Sequence, residues 1–108
     1  MSQQSRFPAV IRIGTPGAAP VRDFESRFAE IAGSPDCRVV VDLAAADSID
    51  SILLAHLIGA DKAVRSVGGR MAVAVTRGVR RMLEETGLEA RLELYETSDA
   101  AVLSLAGP

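Results

Sequence analysis

The sequence predicts one α/β domain, with about four strands in a mostly parallel or mixed sheet and about four helices. Short apolar runs rich in Val and Ile alternate along the chain with segments whose apolar residues have helical spacing. Alternation of this kind implies right-handed crossovers between parallel strands. The length of 108 residues and a hydrophobic fraction of 48% suit a single core, so we expect one domain over residues 1–108.

The first half of the chain contains two predicted strands and the helix between them. We expect the polar residues 1–6 to be disordered. Residues 8–13 predict a β-branched strand, and residues 21–32 predict an amphipathic helix. The apolar stripe of this helix consists of Val21, Phe24, Phe28 and Ile31. Residues 38–43 form a continuous apolar run, which is typical of a strand covered on both faces.

The second predicted helix spans residues 51–66 and carries its apolar residues on one side. The residues expected to face inward are Leu53, Leu57, Ala60 and Val64. The Gly68-Gly69 pair ends this helix before a buried strand at residues 71–75.

The last third of the chain predicts two further helices around a short strand. Thr76 is a suitable cap for the third helix, and Gly87 has the position of a left-handed helix end. Residues 92–95 predict a short strand. Ser98 is the expected cap of a last helix over residues 99–105.

Composition and charge exclude several classes of function. A net charge of -2 and an aromatic fraction of 4% argue against a nucleic-acid partner, which needs a basic field or stacking platforms. Apolar runs are too short for direct membrane insertion. Cys37 is the single cysteine and no signal peptide is present, so we expect a cytoplasmic protein without an internal disulfide.

Four segments, taken in order, carry a resemblance to a known family. The first is an apolar strand, a loop and an Asp-Ser pair at a helix start, VVVDLAAADSIDS, and the second is the helix end and strand VGGRMAVAV. The third is the helix TRGVRRMLEETGL and the fourth is the terminal helix SDAAVLSL. They lie within residues 38–105, and this stretch resembles a STAS domain, the fold of anti-sigma factor antagonists.

The resemblance implies a non-enzymatic switch without cofactor or metal, monomeric when free. In that family the serine after the aspartate is phosphorylated by a partner serine kinase that is also the anti-sigma factor, and a phosphatase resets it. By position, the phosphoacceptor here is Ser51. The residues expected to contact the partner are Asp47, Asp50, Ser51, Ile52, Leu54 and His56.

Two positions depart from the family pattern. Small residues usually follow the acceptor serine, whereas Ile52 and Leu53 follow it here. The family often has an aspartate a few residues after the glycine that follows the early strand, and Gly17 stands at the corresponding place after Gly14.

The resemblance also permits a second function. Free-standing STAS domains resemble the accessory subunits of membrane-associated lipid ABC transporters. In that role the domain would bind the transporter ATPase without a phosphorylation switch, and an apolar helix start would belong to a permanent interface.

Other polar residues have simpler interpretations than a site. Asp42, Asp47 and Asp50 could ligate a cation, but aspartates after strands are more often turn or cap residues. His56, the single histidine, lies about one turn beyond Ser51, and a catalytic pair would also need an orienting group and an oxyanion site.

Three further features receive a structural interpretation. Cys37 has no second cysteine to pair with, and the Gly14–Gly17 segment lacks the Gly-Lys-Ser/Thr ending of a phosphate loop. The arginines of the third helix form a solvated face, balanced by Glu84 and Glu85 at four-residue spacing. These arginines are Arg77, Arg80 and Arg81.

Overall fold

The fold was analysed in a computed structural model, which describes residues 8–13, 20–31, 36–45 and 49–106, without the side chains of residues 20–23. Strands and helices alternate in the predicted order, with one additional 3₁₀ turn before the last strand. The strands are β1 (Ala9–Arg12), β2 (Arg38–Asp42), β3 (Arg70–Ala74) and β4 (Glu93–Tyr95). The helices are α1 (Pro20–Ile31), α2 (Ser51–Ser66), α3 (Arg77–Glu85) and α4 (Ser98–Ala106), with the 3₁₀ turn at Glu89–Arg91.

The sheet contains four strands in the order β1-β2-β3-β4, and every pairing is parallel. The predicted α/β class is therefore confirmed, with a parallel sheet. Adjacent parallel strands that are consecutive in sequence are joined by right-handed crossovers, so the helices that join them lie on the same face of the sheet. The carboxyl ends of the strands, and the helix starts that follow them, consequently meet at one edge of the sheet.

The two faces of the sheet are covered unequally. On one face, helices α1, α2 and α3 pack against alternate strand residues, including Val39, Val41 and Val73. On the opposite face, α4 is the helix that packs there among the described residues, and the buried residues are Val40, Ala72, Ala101 and Leu105. The middle strands are covered on both faces, as their continuous apolar runs predicted.

The helix ends follow the predicted chemistry with one correction. Thr76 caps α3, since its Oγ1 accepts a hydrogen bond from Val79 N at 3.2 Å. Gly87, with φ of 75°, ends the same helix in the left-handed conformation. The predicted cap of the last helix was wrong, because Ser98 is already helical and Thr97 Oγ1 accepts from Ala100 N at 3.0 Å.

A network of charged groups ties α2 to the amino ends of the last two strands. Arg65 Nε donates to the buried Asp61 carboxylate at 2.9 Å and lies 3.5 Å from Glu93 through Nη2. Arg70 binds the same glutamate through two hydrogen bonds, at 2.7 and 3.2 Å. Tyr95 connects β4 to α4, because its hydroxyl lies 2.6 Å from that of Ser104.

We predict that Gly69→Ala destabilises the fold. A Cβ at Gly69 would lie 2.2 Å from the Cys37 carbonyl oxygen and 2.9 Å from a Val64 methyl, so backbone would have to move. Overpacking of this kind costs about 2 kcal/mol or more. Chemical denaturation measures the change in the free energy of unfolding.

Gly59→Ala is the matched control for that substitution. A Cβ at Gly59 meets nothing within 4 Å, and alanine favours a helix interior over glycine by about 0.5–1 kcal/mol. The control should therefore gain stability where Gly69→Ala loses it. Equal changes in the two variants would contradict the steric explanation.

We also predict that Glu93 makes the stability of the fold depend on acidic pH. The hydrogen bonds from Arg70 hold the pKa of the Glu93 carboxyl below its ordinary value, although partial burial opposes them. The stabilisation is complete above the unfolded pKa, about 4.3 for glutamate, and is lost as pH falls through the lower folded pKa. Glu93→Gln should therefore cost about 1 kcal/mol at pH 7 and little at pH 3.

Denaturation at both pH values tests this prediction, with Glu84→Gln as its control. Glu84 pairs with Arg80 at 3.6 Å on the surface, where ion pairs contribute little. A loss of stability for Glu93→Gln that is the same at pH 3 and pH 7 would contradict the role of its charge.

Candidate functional site

The candidate site lies at the start of α2, on the carboxyl edge of the sheet. The helix begins at Ser51, and Ser51 is exposed. Asp50 precedes it in an extended conformation, and its Oδ1 accepts a hydrogen bond from Leu53 N at 2.8 Å. The Asp50 carbonyl accepts from Leu54 N at 3.1 Å. Asp50 is therefore the N-cap, and Ser51 occupies the first helical position.

This position has the electrostatics of an anion site. The first N–H groups of a helix have no partner within the helix, and the helix dipole places partial positive charge there. The first turn of α2 contains no acidic residue. A phosphate attached to Ser51 would therefore meet favourable backbone dipoles. The nearest charged residue in the described sequence is Asp50, whose carboxylate is negative.

The bulky residues after Ser51 point in different directions. Leu53 is buried in the core, and Leu54 is half-buried and packs against that core. Ile52 is 61% exposed, so it is the apolar side chain that the helix start presents to solvent. Leu53, one of the two large residues that depart from the family pattern, lies in the core. It therefore does not cover the surface beside Ser51.

His56 joins α2 to α1 at the side of the candidate site. Its Nδ1 lies 3.0 Å from Glu25 Oε2, and the two side chains are 36% and 55% exposed. The pair lies at an open cleft of about 430 Å³ between the two helices, which we call the α1–α2 cleft. Apolar residues supply most of its lining: Phe24, Phe28, Ala29, Ala55, Gly59 and Ala60.

The aspartates considered as cation ligands have local roles. Asp42 Oδ1 accepts from Ala44 N at 2.9 Å, and the other oxygen lies 3.7 Å from Arg12 Nε. Asp50 caps α2 as described above. Within the described ranges, no group of three or more His, Cys, Asp or Glu is arranged to hold a metal. Asp47 lies outside the described residues, as do Gly14 and Gly17.

Cys37 and the α3 arginines agree with their structural interpretations. Cys37 is buried, and that burial raises the pKa of its thiol, so the reactive thiolate is disfavoured. Arg80 pairs with Glu84 at the predicted four-residue spacing, whereas Arg81 and Glu85, both described and exposed, form no such pair, and Arg77 is exposed.

Sequence reasoning did not find the α1–α2 cleft or the contact between Glu25 and His56 at its side. Glu25 lies outside the apolar stripe of α1, and nothing in its local pattern indicates His56 as a partner. One signal was available in the sequence: Gly59 interrupts a run of helix-forming residues near the middle of α2. A glycine lowers the stability of a helix interior relative to alanine and leaves space beside the helix.

Comparison with known proteins agrees with the fold. The structure contains no helix, within its described residues, of the length and apolarity needed to cross a bilayer. A search of curated proteins found no match. The STAS domain family matches residues 18–101, which is most of the chain and includes the candidate site. The chain therefore belongs to the STAS domain family.

Proposed function

We propose that this STAS domain is an anti-sigma factor antagonist, regulated by phosphorylation of Ser51. The observation that carries the proposal is that Ser51 is exposed and occupies the first position of α2, directly after the Asp50 cap. Membership of the STAS family supports a regulatory, protein-binding role. The partners would be an anti-sigma factor that is also a serine kinase, and a phosphatase that reverses the modification.

The proposed switch acts through charge at the docking surface. A phosphoserine carries about -1.5 to -2 charges at pH 7. At the start of α2 the fold tolerates this charge, because backbone dipoles face it. A partner that covers Ile52 would have to desolvate the phosphate beside it, which is costly for an unpaired charge. Phosphorylation would therefore release the partner without a large conformational change.

We propose that the protein acts by binding and not by catalysis. STAS domains are generally non-enzymatic. Glu25 contacts His56 as an orienting group would, but among the described residues no hydrogen bond joins His56 to Ser51. The α1–α2 cleft is open and largely apolar, which suits contact with a protein better than sequestering a reaction. We propose that the domain is cytoplasmic and is monomeric until it binds its partner.

One observation favours the accessory-subunit alternative. Ile52 is a large apolar residue, 61% exposed at the helix start, and a permanent interface with a transporter ATPase would cover it. That function predicts stable co-purification with the ATPase, unchanged by ATP and by the state of Ser51. The switch predicts that ATP and the kinase together release the domain.

Phosphorylation at Ser51 is the central prediction. Incubation with the cognate kinase and ATP should add one phosphate, which mass spectrometry should locate on Ser51. Ser51→Asp should weaken kinase binding at least tenfold, because it brings a negative charge to the interface. Its melting temperature should stay close to that of the unmodified protein, because a negative charge suits a helix start.

Ser66, at the opposite end of the same helix, supplies the control. It is also exposed, and its hydroxyl donates to the Ala63 carbonyl at 2.7 Å. Ser66→Ala should leave phosphorylation and binding unchanged, whereas Ser51→Ala should abolish phosphorylation. Phosphate located elsewhere, with kinase binding unaffected by Ser51→Asp, would refute the proposed function.

Ile52→Ser tests whether the exposed helix start takes part in docking. The side chain is mostly in solvent, so the free energy of unfolding should change by about 0.5 kcal/mol or less. Kinase binding, measured by isothermal titration calorimetry, should weaken about tenfold, because buried apolar anchors dominate interfaces. Unchanged affinity would place the docking surface away from Ile52.

A further inference from the structure

We draw no further inference here: the strongest candidate, the outer edge of the terminal strand β1 with its exposed Val10, carries no proposal, because nothing in the part of the chain that the structure describes shows what covers it.

Discussion

Two hydrogen bonds that Asp50 accepts fix the point at which α2 begins, and the proposed switch depends on that point. The carboxylate holds Leu53 N and the carbonyl holds Leu54 N, so the chain turns into the helix directly at Ser51. Without this cap the first turn could fray, and the acceptor would lose its fixed orientation. The parallel sheet supplies the other constraint, since it brings the helix start to an exposed edge.

Because α2 is packed firmly on the core, a change of charge at its start would be enough to act as the proposed signal. Leu53 and Leu57 anchor α2 in the core within two turns of Ser51, so a modification at the helix start has little structure to rearrange. In the proposed switch, recognition would be altered at the surface itself, where Ile52 is exposed beside Ser51. A small domain with a closely packed core suits such a mechanism, because packed interiors resist continuous deformation.

The sequence predicted the elements well because strong local signals mark them. Apolar runs located β2 and β3, and the caps Asp50 and Thr76 fixed two helix starts. The cap of α4 was misplaced by one residue, since Thr97 and Ser98 are both good caps and only the backbone decides between them. The Glu25–His56 pair and the cleft could not be predicted, because they arise from the lateral packing of two helices distant in sequence.

In the part of the chain that the structure describes, α4 is the helix that covers the far face of the sheet, opposite α2. Besides its contacts with the sheet, α4 is attached through the Tyr95–Ser104 hydrogen bond and through Arg38, which donates to the Leu105 carbonyl. Leu103, 75% exposed, adds nothing to that attachment. The buried Ala101 and Leu105 of α4 pack on Val40 and Ala72 of the two central strands, so α4 completes the core on that face. Loss of the C-terminal helix would therefore expose the two central strands to water, and the inward positions of α4 should tolerate few substitutions.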